Sequence, residues 1–149
     1  MTPVAETLLF CASRAQLAKE KVLPALTAGK VVLCDRFLDS TTVYQGHGRG
    51  LSIPSIQTIH EFSVGRCRPD LTLALMMEPD ASVKRARKSS NRYDRMEAQK
   101  KAFYRSIYVG YRALCRNEPA RIKWIEADRS RSAVHDDIWM HVSRRLARP

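Results

Sequence analysis

The stretch Leu33–Gly50, LCDRFLDSTTVYQGHGRG, decides how the rest of the chain is read. The apolar run that leads into it, VVLC, stops on Asp35–Arg36. An almost uncharged, hydroxyl-rich segment carrying Gly46, Gly48 and Gly50 follows. Short β-branched apolar runs of this kind mark buried strands, so Lys30–Cys34 is predicted to be a strand that ends on a charge pair. Two further runs, Leu71–Met77 and Ile122–Ile125, are predicted as the second and third strands.

Helical patterns separate these runs. Thr2–Pro3 reads as an N-cap followed by proline in the first turn. Leu8, Leu9, Ala12, Ala15, Gln16, Val22 and Leu26 then recur at roughly helical spacing up to Gly29, with Pro24 expected to kink or break the helix. Ser52–Ile53–Pro54 opens another helix, with Ile56, Ile59, Phe62 and Ser63 expected on one face and Gly65 as its stop. Pro79 starts a helix through Ala86, and Lys88–Tyr93 reads as a loop. A long helix is expected from about Asp94 to Arg116, with Met96, Phe103, Ile107 and Leu114 on one side, and a last one over Ser132–Arg145. Helices alternating with apolar strands predict an α/β fold, a parallel sheet covered on both faces, as one domain over residues 1–149. Ligands of such sheets bind at the carboxyl ends of the strands, which is where Asp35–Arg36 falls.

With 149 residues, 44% of them hydrophobic, the chain can bury a real core. No apolar run reaches the roughly 18–20 residues that span a bilayer, and MTPVAETLL lacks the basic-then-apolar pattern of a secretory signal. A cytoplasmic location is expected, without membrane partners. Cys11, Cys34, Cys67 and Cys115 form no CxxC pair, and read as buried free thiols of a reducing compartment. The four histidines show no ligand spacing, so no metal-binding residues are assigned. The net charge of +11 is uneven: residues 1–83 balance eight basic against eight acidic side chains, and residues 84–149 carry eighteen basic and seven acidic. So basic a half calls for an anion: nucleic acid, phospholipid or nucleotide phosphate. Nucleic acid is disfavoured, because no recognised binding module or aromatic-interleaved basic strand is present.

Asp35–Arg36 suits anion chemistry. A guanidinium at a strand end grips phosphate through two parallel hydrogen bonds, and a neighbouring carboxylate can hold a sugar hydroxyl or a magnesium-bound water. The bland alternative is an internal ion pair closing the strand. Ser40, Thr41, Tyr44 and Gln45 follow, and uncharged donors and acceptors fit the rim of a base-and-sugar site better than a solvated loop. The glycines let backbone approach a ligand closely. Phe10 and Arg14, four apart, share one helix face; a ring there can stack on a base while the arginine bonds its edge, the alternative being core packing for Phe10 and a surface charge for Arg14. Lys84–Arg95 (KRARKSSNRYDR) places six cations around a break, as a phosphate-closing lid would and as a solvated helix face also would. Gly29–Lys30 imitates the end of a phosphate loop. GxxxxGK[ST] would, however, need glycine at 24 and Ser or Thr at 31, where the chain has Pro24 and Val31.

Taken together, these segments resemble the bacterial thymidylate kinases, a family of P-loop nucleoside monophosphate kinases. The similarity spans essentially the whole chain and rests on Glu6–Gln16 (ETLLFCASRAQ), Asp35–Gly50 as D-R-[YF] followed by S-T-x-x-Y-Q-G-x-G-R-G, Arg68–Leu75 as R-P-D-L-T-x-x-L, and the Arg85–Glu97 segment. The resemblance implies a P-loop NTPase-like fold and transfer of the ATP γ-phosphoryl group to dTMP with Mg2+, giving dTDP. It implies that Phe10 stacks on thymine and Arg14 bonds its edge, that Arg36 binds the acceptor phosphate with Asp35 beside it, and that Ser40, Thr41, Tyr44 and Gln45 line the nucleoside pocket. Tyr44 would crowd a 2′ hydroxyl, which suits deoxyribose. Arg92 and Arg95 correspond to lid cations near the donor phosphates, and Ala127, Asp128 and Arg129 to the border of the donor's adenine. A homodimer through helices, including the one near Thr2, is implied as well. Arg14 alone does not establish thymine, so another base preference stays open.

Two departures stand out. Met76 occupies a place where the family usually has aspartate. The family's opening strand, phosphate loop, helix and further strand, roughly 50–60 residues, have no counterpart in this sequence, so the fold is expected to be truncated at its N-terminus. On that reading the chain by itself is expected to be inactive, the alternative being a non-catalytic remnant that at most binds dTMP.

Overall fold

Thr2 caps the first helix by accepting a hydrogen bond from the Ala5 N–H (3.3 Å), and Pro3 occupies the first turn, where its missing N–H costs nothing. The computed structural model describes residues 1–82, 85 and 97–147. They divide into two compact units, Met1–Arg68 and Pro69–Pro149.

In the first unit, α1 (Pro3–Leu17) runs into a π-helical turn at Ala18–Val22 and then into α2 (Leu23–Thr27). The widened turn is the structure's answer to Pro24. A proline crowds the carbonyl four residues before it and cannot donate to it; here Leu23 N–H reaches back five residues to the Ala18 carbonyl, and the helix continues instead of breaking. The buried side of α1 is Thr7 and Cys11, joined by Ala18 and Val22 beyond it, whereas Leu8 and Leu9 stay exposed. A short helix, α3 (Leu38–Thr41), passes into a second π-helical segment at Thr42–Gly48, and α4 (Ile53–Val64) follows, capped by Ser52 and stopped at Gly65 with φ 50°. Ala18, Val22, Leu38, Val64 and Cys67 form one apolar core, with Val32 and Phe37 packed against it.

Three expectations fail in this unit. Lys30–Cys34 joins no ladder among the described residues; Val32 turns inward, Leu33 is 92% exposed, and Cys34 is an exposed thiol rather than a buried one. An apolar run specifies an extended segment, but a strand also needs a hydrogen-bonding neighbour. On α4 the buried stripe is Ile56, His60 and Val64, and Phe62 is 94% exposed, because a step of six residues turns the helix well away from the face it started on. Gly46 serves packing rather than ligand approach. A Cβ there would lie 2.2 Å from Ile53 Cδ1, so the start of α4 can press against the π-helical segment only if that position is glycine.

The second unit holds the sheet. β1 (Thr72–Met76) and β2 (Ile122–Glu126) pair in parallel, from Thr72 opposite Ile122 to Met76 opposite Glu126. Parallel neighbours need a crossover, and the intervening chain contains α5 (Glu97–Asn117), which packs on β2, as does α6 (Arg131–Leu146). Residues 79–82 and 85 are helical, as Pro79 predicted; the expected helix end at Ala86 and the expected loop Lys88–Tyr93 fall outside the described residues. Ala74, Ile107, Leu114, Ile122 and Ile125 are buried. The pairing and burial are those of a small parallel sheet with helical cover, in agreement with the expected α/β class.

Ile125 is 0% exposed and Leu75, on the neighbouring strand, is half-exposed. Ile125→Ala should therefore cost about 2–5 kcal/mol in urea unfolding, while Leu75→Thr should change stability by less than about 0.5 kcal/mol.

Candidate functional site

Arg14 is the organising side chain of the first unit. It leaves α1 half-buried, donates to Thr41 Oγ1 at 2.5 Å and to Cys11 Sγ at 3.7 Å, and lies 5.5 Å from the centroid of the Phe37 ring. Burial lowers its pKa, opposed by Cys11 and by the carboxylate of Asp39; an arginine remains a cation under any such shift. Phe10, one turn earlier on α1, is half-exposed. The bland expectation for this pair is thus reversed: the ring faces solvent and the guanidinium is held.

Arg36 is the one non-glycine among the described residues with positive φ, at 69°. A side chain in the left-handed region costs on the order of 1–3 kcal/mol and persists only where its surroundings hold it there. Rather than closing a strand on Asp35, its guanidinium lies over Tyr44, 4.1 Å from the ring centroid. Asp35 itself is exposed. Thr41 and Gln45 are buried, Ser40 and Tyr44 half-buried. Gln45 Nε2 donates to Glu6 Oε1 at 2.7 Å, and Glu6 also lies 3.9 Å from Arg49. α1 thus meets this hydroxyl-rich stretch twice, through Arg14 at Thr41 and Glu6 at Gln45, while Arg36 and Tyr44 pair within it.

In the second unit Ala127 N–H donates to the Met76 carbonyl at 2.7 Å, extending the β1–β2 pairing by one step. Arg129 donates to the Glu126 carbonyl at 3.1 Å and forms an ion pair with Asp137, and Asp128 is exposed. Arg85 reaches the Ala127 carbonyl at 3.4 Å. Two residues past Met76, Glu78 accepts from the Tyr108 hydroxyl at 2.7 Å, and the Tyr108 ring meets Trp124 edge-on at 5.0 Å. Arg92 and Arg95 lie outside the described residues. Among the described residues no cluster of three His, Cys, Asp or Glu is placed to hold a metal ion, and no helix is long and apolar enough to cross a membrane.

His60, to which the sequence reading assigned no role, is 6% exposed. Its ring bridges Thr42 Oγ1 (3.2 Å, to Nε2) and Cys11 Sγ (4.0 Å, to Nδ1). The signal was available in its spacing, four residues from both Ile56 and Val64, which puts it on their buried stripe. Burial, with Arg14 nearby, lowers its pKa from 6.5 to about 4, against the raising effects of Asp39 and the Leu38 carbonyl. A folded-state pKa below the unfolded one means that the unfolded chain takes up the proton first as the pH falls. Stability should therefore be unaffected by this residue above pH 6.5, decline between pH 6.5 and about 4, and level off below. The loss should reach roughly 2 kcal/mol after allowance for solvent screening. Urea melts across that range should show the slope in the native chain and a flatter one in His60→Gln.

The family model described as thymidylate kinase matches residues 1–138. The chain is 41% identical to the thymidylate kinase of Syntrophotalea carbinolica, covering 100% of this chain and 71% of that protein. It is also 41% identical to that of Chlorobium chlorochromatii, with 98% and 70% covered, and 43% identical to that of Kosmotoga olearia, with 91% and 65% covered. The chain thus spans about two thirds of the length of these relatives. With the family model and these relatives matching along both compact units, the chain belongs to the thymidylate kinase family.

Proposed function

We propose that this chain supplies the acceptor-binding and lid portion of a dTMP kinase, which transfers the γ-phosphoryl group of ATP to dTMP and yields ADP and dTDP. The observation that carries the reading is the way Arg14 is held, with Thr41, Cys11 and Phe37 around it and the exposed Phe10 ring one turn away on the same helix. A ring open to solvent beside an anchored fork of donors suits a flat base with acceptors on its edge.

In this reading Phe10 stacks on thymine and Arg14 bonds its edge. Arg36 swings from Tyr44 to the acceptor phosphate, exchanging a cation–π contact for a bidentate charge-assisted pair. Asp35 lies beside it. Ser40, Thr41, Tyr44 and Gln45 line the nucleoside. Arg92 and Arg95 supply lid cations to the donor phosphates, and Ala127, Asp128 and Arg129 border the adenine. Residues 1–149 act as a single domain, in the cytoplasm, on nucleotides rather than nucleic acid, within a homodimer.

Magnesium enters such sites with the triphosphate and needs only one or two carboxylates from protein. The exposed Asp35 carboxylate fits that requirement, and the ion supplies charge neutralisation on the transferring group. The protein's own contribution is positioning. Arg36 neutralises the attacking phosphate, while the stacked ring and Arg14 fix the nucleotide's direction.

Calorimetry with dTMP should show binding that Arg36→Ala weakens roughly 30- to 150-fold, the equivalent of a charged hydrogen-bond pair. Phosphorylation of dTMP by ATP should fall with the same substitution. Unchanged affinity in Arg36→Ala would remove the phosphate role assigned to it.

A further inference from the structure

Behind Arg14 lies a chain of polar contacts, through Cys11 to His60 and Thr42, of which the proposed function uses only the first. Thr42 Oγ1 is 3.4 Å from the Leu38 carbonyl, one helical turn back, and spends its proton there. With the Thr42 oxygen as acceptor, a neutral His60 ring protonated at Nε2 donates to it and keeps Nδ1 as an acceptor. Nδ1 faces Cys11 Sγ, whose S–H can donate to it while the sulfur accepts from Arg14. Every group then points the same way: Arg14 to Cys11, Cys11 to His60, His60 to Thr42, Thr42 to the Leu38 carbonyl. Cys11, Thr42 and His60 are all buried. The charges facing this ring are Arg14 from α1, Asp39 from α3 and Arg68 beyond α4.

We infer that His60 is a positioning residue for Arg14: by fixing the Cys11 thiol from behind, it sets the direction in which the guanidinium meets the base. This rests on the reading of Arg14 as the base-edge donor. Direction matters because thymine presents an acceptor, O4, where cytosine presents an amino donor. A guanidinium held in one orientation rewards the first and is opposed by the second. One free to swing adjusts to either, and discrimination shrinks. The neutral ring suits this place, since a protonated His60 would donate from both nitrogens and leave the Cys11 thiol without its acceptor.

The test is the ratio of dissociation constants for dTMP and dCMP, measured by calorimetry on the chain and on variants. His60→Leu should shrink the ratio by at least about 5-fold, while His60→Gln, which keeps an amide donor and acceptor, retains most of it. In an Arg14→Ala background His60→Leu should change the ratio no further. A purely structural role would lower the fraction of competent protein, read as stoichiometry, and leave the ratio alone. Should His60→Leu not fold, Thr42→Val removes the hydroxyl that orients the ring and carries the same expectation. A full ratio in both variants overturns the inference while the functional reading stands. A native chain that does not distinguish the two nucleotides overturns the functional reading and the inference together.

Discussion

A guanidinium that is to read the edge of a neutral base must be partly stripped of water and still point in one direction. Water is the cheaper partner for a charged group, and desolvation acts against it. Arg14 meets both demands because its hydrogen-bonding capacity is shared out: Thr41 takes one donor, Cys11 another, and the Phe37 ring lies alongside. That arrangement requires α1 to sit against α3 and α4 at the same time. It explains why the buried side of α1 is small and polar, Thr7 and Cys11, rather than leucine. Larger apolar residues there would fill the space that the arginine and the histidine behind it occupy.

The backbone devices of the first unit serve the same end. The π-helical turn at Ala18–Val22 lets the long helix pass Pro24 without breaking, so Ala18 and Val22 still reach the core beside Leu38 and Val64. The absence of a side chain at Gly46 lets α4 approach closely enough for His60 to touch Thr42. Arg36 pays for its place with an unfavourable backbone conformation. In that conformation the guanidinium rests on Tyr44, the third residue of the π-helical segment that also presents Gln45 to Glu6. Arg36 is the one non-glycine among the described residues in the left-handed region, and it persists there only because its surroundings hold it.

Features set by neighbouring residues were legible in the sequence. Thr2 with Pro3 and Ser52 with Pro54 announce helix starts, and Gly65 a helix end, because a cap is a contact within one turn. The runs at Leu71–Met77 and Ile122–Ile125 became strands because each finds the other. Lys30–Cys34, also largely apolar, pairs with no strand among the described residues, and pairing is a property no local pattern contains. Phe62 was misplaced by counting in threes, which drifts off a helix face within two turns, and the same count hid His60. The residues around Arg36 were recognisable by type and order. That Arg14 would be the anchored member of its pair and Phe10 the open one was not, since the anchors come from 27 residues away at Thr41 and from the Phe37 ring. The lid arginines, Arg92 and Arg95, lie outside the described residues.

The central claim is that a phosphate-bearing nucleotide, and not merely a base or nucleoside, is the ligand of this cluster. The most direct measurement compares dTMP with thymidine in titrations of the native chain at one ionic strength. The account predicts that dTMP binds at least about 30-fold more tightly, since the two differ only in the phosphate that the proposal assigns to Arg36. Equal affinities for the two would contradict it.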